Sequence, residues 1–194
     1  MRLHDRMKID ERIYVETCTD VYPPSEDSYL LIESFDVLRG ESVLEIGCGS
    51  GIVSMHCASN GALVTAVDIN ERAVECAREN FRKNGLNAYI FVSDLCERVE
   101  GVFDTFVFNL PYLPVSEDGE LERAWSGGPD GIGPLPRLIR CAEKHLEYGG
   151  RIIIVVSSLM DEERLDCLLE GMEVSELGRL PLFFETLRVL EIRP

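Results

Sequence analysis

The chain has 194 residues, 45% of them hydrophobic, with seven cysteines and a formal net charge of −16. That length carries one sizeable core rather than two, and the acid excess excludes a protein that grips nucleic acid unaided, because phosphate neutralisation by Lys and Arg supplies most of that affinity. The cysteines stand at 18, 48, 57, 76, 96, 141 and 167 without a Cys-x-x-Cys pair, so reduced, mostly buried thiols are expected, and neither a disulfide framework nor a metal site.

Met1-Arg2-Leu3-His4-Asp5-Arg6-Met7-Lys8 carries charges where a signal peptide needs an apolar stretch. The longest apolar run, Ile152 to Val156, is far too short to span a bilayer, so a cytoplasmic protein with no membrane association is expected. Next comes Tyr22-Pro23-Pro24-Ser25-Glu26-Asp27-Ser28. Its prolines keep the backbone extended, and Ser25 can cap a helix bearing Leu31, Phe35 and Leu38. On pattern alone Glu26 and Asp27 complement the dipole of that helix. Short apolar runs then alternate with amphipathic stretches: 42–46, 63–68, 88–92, 103–108 and 151–156 read as strands. The helix at 71–84 puts Val74, Ala77 and Phe81 on one face and Arg78, Glu79, Arg82 and Lys83 in water, and Asn84-Gly85 suits a left-handed cap. The irregular stretch 113–133, rich in glycine and proline, reads as a substrate-facing loop. After the fifth strand, 161–170 reads as a helix, and 173–180 and 185–192 as a closing antiparallel pair around Pro181-Leu182-Phe183-Phe184. No repeat or linker divides the chain. The expectation is one α/β domain over 1–194, with an N-terminal extension and helix at 1–40 and a Rossmann-like core at 41–194, built on a mostly parallel sheet with helices on both faces.

Glu45-Ile46-Gly47-Cys48-Gly49-Ser50-Gly51 ends the first strand and opens a helix. Small residues are needed there because a Cβ would block the tight turn or the approach of a nucleotide cofactor to the backbone. Asp68 ends the next strand, roughly twenty residues on, where an acidic group can accept hydrogen bonds from both ribose hydroxyls. Asp94, past the third strand, can accept from an adenine amino group, with Ile69 and Leu95 as apolar walls; an Asp there can equally cap a helix. The Gly-x-Gly-x-Gly spacing favours S-adenosylmethionine over a nicotinamide dinucleotide, whose fingerprint is Gly-x-Gly-x-x-Gly.

Asn109-Leu110-Pro111-Tyr112 follows the fourth strand. Together with the glycine loop it reads as a methyltransferase acting on a planar nitrogen. The lone pair of an amide nitrogen is delocalised, so a site helps by accepting hydrogen bonds from both N–H groups, aligning the nitrogen and excluding water. The Asn109 side-chain oxygen and the Leu110 carbonyl are suitable acceptors, Pro111 stiffens the turn, and Tyr112 can pack on the planar group.

These segments, with Trp125-Ser126-Gly127-Gly128, resemble the HemK-type protein-glutamine methyltransferases over nearly the whole chain, most closely the short archaeal and eukaryotic branch without the bacterial N-terminal helical domain. The resemblance implies the seven-stranded class I S-adenosylmethionine-dependent methyltransferase fold. It implies that Tyr22, Pro24, Glu26, Asp27 and Ser28 help enclose the cofactor beside Glu45, Gly47, Gly49, Gly51 and Asn109, and that S-adenosylhomocysteine is the product. It further implies methylation of the glutamine in the Gly-Gly-Gln motif of a class I translation release factor, and a small zinc-binding activator as partner. The third strand, apolar and expected at a sheet edge without a protective charge, is where that partner would pair. Leu110 replaces the usual proline but keeps the carbonyl acceptor. Methylation of an adenine amino group, of another protein side chain, or a cofactor-binding subunit without activity are the alternatives.

Overall fold

The computed structural model describes residues 9–114 and 126–194. In chain order the elements are α1 (Glu26–Ser34), β1 (Ser42–Ile46), α2 (Ile52–Ser59), β2 (Leu63–Asp68), α3 (Glu71–Asn84), β3 (Tyr89–Val92), β4 (Phe103–Asn109), α4 (Leu135–His145), β5 (Leu146–Ser157), α5 (Glu162–Leu168), β6 (Glu173–Pro181) and β7 (Thr186–Arg193). They build one seven-stranded sheet of order β3-β2-β1-β4-β5-β7-β6. The first five strands run parallel, and β7 pairs antiparallel with both β5 and β6.

Strand periodicity explains the two-sided core. Along β5, Ile152, Ile154 and Val156 pack on one face with Leu135, Leu138 and Ile139 of α4 and Leu165 of α5. Ile153 and Val155 point the other way, into Leu31 and Ile32 of α1, Val53 and Met55 of α2, and Val74 and Phe81 of α3. A strand buried on both faces reads as a continuous apolar run, as Ile152 to Val156 does. Chain order reverses between β1 and β4, the point at which open α/β sheets bind ligands beyond the carboxyl ends of their strands.

Several expectations change. Helix α1 ends at Ser34, so Phe35 is its buried C-cap residue and Leu38 lies outside it, exposed. The Ser25 hydroxyl makes no capping bond; it donates to the Glu26 carboxylate instead. Strand β5 begins at Leu146, five residues before the expected start at 151, because the chain pairs with β4 across an irregularity between Phe103 and Thr105. Gly150 permits this, since a Cβ there would lie 2.8 Å from the Asp104 carbonyl oxygen.

The cysteines also depart from the expected free thiols. Cys18 is bonded to Cys76 and Cys96 to Cys141, with Cα–Cα distances of 6.1 and 5.9 Å. The partners are 58 and 45 residues apart, so only the crossover connections of the parallel sheet bring them together. Cys48 and Cys57 are buried free thiols and Cys167 is exposed.

Candidate active site

A cavity of about 520 Å³ opens at the carboxyl ends of β1, β2 and β4. The glycine loop forms its floor. Gly47, Gly49 and Gly51 all have positive φ, at 69°, 52° and 82°, and Gly51 is the N-cap residue of α2. A Cβ on Gly51 would meet the Ala77 methyl at 3.1 Å, so both conformation and close packing on α3 require glycine there.

Asp68 closes the loop. Its Oδ2 accepts from the Gly49 amide at 2.9 Å and its Oδ1 from the Asn70 amide at 2.9 Å. Each carboxylate oxygen retains a second lone pair, which suits a pair of hydroxyl donors on the cavity side. Burial pushes the Asp68 carboxyl above its usual range, against the opposing pull of these amides. Glu45, fully buried, accepts from the Ser54 amide at 2.9 Å and from the Ser54 hydroxyl. Burial pushes its pKa up to about 8, with neighbouring Asp68 adding to the rise.

Tyr22, Pro24 and Ser28 form one cavity wall, Ile69, Asp94 and Leu95 another, and Asn109 and Pro111 a third. Leu95 adopts a left-handed conformation, φ 48°, which turns the chain at the cavity wall beside Asp94. Glu26 and Asp27 do not line this cavity. They stand with Leu110 and Tyr112 around an adjoining recess of about 170 Å³. The tetrapeptide is therefore the partition between two concavities, with Asn109 and Pro111 facing one and Leu110 and Tyr112 the other. The Tyr112 hydroxyl lies 3.5 Å from Asp27 Oδ2. Burial and the negative charges of Asp27 and Glu185 raise the phenol pKa, so it stays protonated.

Asn109 is the last residue of β4, opposite Val155 of β5, and β4 in turn pairs with β1. Among the described residues its Oδ1 is the only buried side-chain oxygen or nitrogen without a hydrogen-bond partner. A desolvated acceptor left open costs about 1–3 kcal/mol, a cost that a donor arriving in the cavity removes. The cavity thus brings the Asp68 and Asp94 carboxylates and the unpartnered Asn109 oxygen to one concave surface.

Other participants have no local signature in the sequence. Arg137 of α4 is, among the described residues, the sole Lys or Arg in the cavity lining, and its guanidinium donates to Asp94 Oδ2 at 2.9 Å and lies 3.3 Å from Glu97. Asn80 of α3, wholly buried, donates to the Ser50 carbonyl at 2.9 Å and accepts from the Glu16 amide at 2.9 Å. It ties the glycine loop to the segment that brings Asp20, Val21 and Tyr22 to the cavity. Of the expected substrate-facing loop, 115–125, including Trp125, lies outside the described residues. Ser126, Gly127, Gly128 and Gly133 join the cavity wall. Gly127 is indispensable sterically, because a Cβ would fall 2.6 Å from the Pro111 carbonyl oxygen. At the sheet edge the expected bare third strand is partly covered: Arg78 donates to the Ile90 carbonyl and Arg98 to the Val92 carbonyl.

The methyltransferase small domain family matches residues 25–177. A relative from Methanocaldococcus jannaschii, named "Putative protein N5-glutamine methyltransferase", is 41% identical over 93% of this chain and 95% of its own. The Homo sapiens protein named methyltransferase HEMK2 is 36% identical over 71% of this chain and 72% of its own. The solved E. cuniculi Mtq2-Trm112 complex, described as responsible for methylation of the eRF1 translation termination factor, shares the fold with a TM-score of 0.73 at 23% identity, covering 90% of this chain and 99% of that one. With its class I methyltransferase sheet, its glycine loop and these likenesses over most of its length, the chain belongs to the HemK-type methyltransferases.

Proposed function

We propose that this protein binds S-adenosylmethionine in the large cavity and methylates the side-chain amide nitrogen of the glutamine in the Gly-Gly-Gln motif of a class I release factor, leaving S-adenosylhomocysteine. The observation that carries the reading is the open, buried acceptor of Asn109 between the two concavities. The cofactor, when bound, supplies an electrophilic methyl group; Asp68 holds the ribose, and Asp94, held by Arg137, receives the adenine amino group. Asn109 Oδ1 and the Leu110 carbonyl accept from the two amide N–H groups, so the nitrogen is fixed in orientation and water is excluded. No strong base is needed: methyl transfer would leave a cationic, strongly acidic N-methyl amide whose extra proton passes to solvent as the product leaves, and Tyr112, held protonated, would serve by packing rather than by proton abstraction.

The same reading assigns a small zinc-binding activator to the β3 edge. The Ser93 amide donates to the main-chain carbonyl of Asp68 in β2, so in a parallel ladder Ile90 and Val92 turn their main-chain groups outward. Tyr89, 79% exposed, supplies an apolar side chain there. A strand pairing at this edge displaces the guanidinium groups of Arg78 and Arg98, which guard it in the single chain.

Labelled S-adenosylmethionine, offered with release factor, with its Gly-Gly-Gln glutamine variant and with duplex DNA, tests the activity. Label is expected in the first alone. Label in DNA at physiological salt would favour the adenine reading, which the net charge of −16 opposes.

A further inference from the structure

The turn between β6 and β7 is built around two large aromatic rings in water. Phe183 and Phe184 are 92% and 85% exposed and stack edge to face at a centroid distance of 4.6 Å. The Leu182 amide donates to the Glu185 carbonyl at 2.7 Å, which closes the turn and presents both rings outward. A turn of this size is satisfied by Gly, Asn, Asp or Ser, so two phenylalanines contribute nothing to its geometry. Paired exposed aromatics are instead the composition of binding surfaces.

Topology puts this tip beside the site. Since β7 runs antiparallel to β5, its first residues stand opposite the end of β5, with Leu187 facing Ser157. That is the carboxyl end of the parallel strands, where β4 delivers Asn109. The hairpin's Leu182 and Glu185 line the smaller recess, across from Tyr112 and from Glu26 and Asp27 of α1. Among the described residues no lysine or arginine lines it, and Asp27, only 4% exposed, is hydrogen-bonded to Ser28 and Tyr112 and, among those residues, to no cation.

We propose that the Phe183–Phe184 tip and the recess beneath it dock the basic polypeptide segment that flanks the acceptor amide in the protein substrate. The rings supply apolar contact and the carboxylates charge complementarity, while the shared tetrapeptide makes the surface continuous with the methyl-transfer site. The inference rests on the proposed activity, and identifies how a protein is selected once Asn109 has selected an amide.

The test is a kinetic comparison of the wild-type protein, Phe183→Ser/Phe184→Ser and Phe183→Tyr/Phe184→Tyr, all with the activator present and a full-length release factor as substrate. The serine variant is expected to raise KM for the release factor at least tenfold, with kcat within twofold and S-adenosylmethionine affinity by calorimetry unchanged; the tyrosine variant should recover most of the KM. Replacing the lysines and arginines next to the glutamine by alanine should raise KM with the wild-type enzyme and add little with the serine variant, as two changes at one contact do. An unchanged KM in the serine variant overturns the docking surface while leaving the activity standing. So does light scattering that shows the tip joining two copies of this chain. A wild-type protein that transfers nothing to the release factor overturns the activity and the proposed occupant together.

Discussion

Asp68 and Asn109 line the same cavity from strands separated by β1, with different hydrogen-bond accounts, so their substitutions should separate cofactor binding from transfer. Asp68 is already engaged by two backbone amides and is proposed to take two more donors. Hydrogen bonds to a charged acceptor are worth about 1.5–3 kcal/mol each, so Asp68→Ala should weaken S-adenosylmethionine binding by well over tenfold in calorimetry. Asn109 is unpartnered, and Asn109→Ala removes nothing the resting protein uses. It should bring methyl transfer to background while cofactor affinity stays within a few fold; near-normal turnover would sink the positioning mechanism. Tyr112→Ala should fall between. The positions of the glycines, Asp68 and Asn109 at the carboxyl ends of strands are legible in sequence because each ends or directly follows an apolar run. Arg137 and Asn80 are not, since their roles arise from contacts with residues 43 and 30 positions away, and no local pattern encodes such a meeting. The separation of Glu26 and Asp27 from the larger cavity is equally illegible: adjacent helical residues diverge by roughly 100°, and only the packing of α1 leaves Glu26 exposed and Asp27 buried.

Among the elements, those with an unbroken period were readable to the residue. Helix α3 runs Glu71–Asn84 with Gly85 in the left-handed cap at φ 64°, and β1 and β2 have the bounds that their apolar runs suggest. The start of β5 was hidden because Tyr148-Gly149-Gly150 looks like a turn and becomes strand only through its pairing partner. The disulfides were hidden for the same reason, and they brace the cavity. Cys18–Cys76 fixes the segment leading to Tyr22 onto α3, and Cys96–Cys141 fixes the turn carrying Asp94 and Leu95 onto the helix carrying Arg137. Closing loops of this size stabilises by about 2–4 kcal/mol each. Cys18→Ser/Cys76→Ser should therefore lower the urea midpoint and weaken cofactor binding, and reductant should lower the midpoint of the wild-type protein and change the variant less. At the opposite edge, Tyr89→Arg should weaken a complex with the activator, read by co-purification, while leaving the isolated fold intact because the side chain is already in water. Undiminished co-purification would move the partner off β3.

At the scale of the whole molecule, a chain with 35 acidic against 19 basic residues places two carboxyls, Glu45 and Asp68, where burial raises their pKa values. A carboxyl whose folded pKa is raised binds its proton more tightly in the native state. Its contribution is fully present below the unfolded pKa and is lost as pH rises through the folded value, so stability should decline between about pH 4.5 and pH 8, the window set by Glu45. The exposed, arginine-paired Asp10 and Glu79 are lowered to about 2 and act in the opposite sense, their contribution lost only as pH falls towards that value. Loss of net-charge repulsion near the pI also favours the folded state at pH 5, so the wild-type slope alone does not isolate the buried group. Glu45→Gln does, because it keeps an acceptor for the Ser54 amide and removes the titration while changing surface repulsion little. In urea unfolding at low protein concentration, the wild-type free energy should fall from pH 5 to pH 8, and the Glu45→Gln value should fall distinctly less. Equal slopes in the two proteins would show that Glu45 is ionised in the folded state throughout, and would remove the buried proton from the account of this cavity.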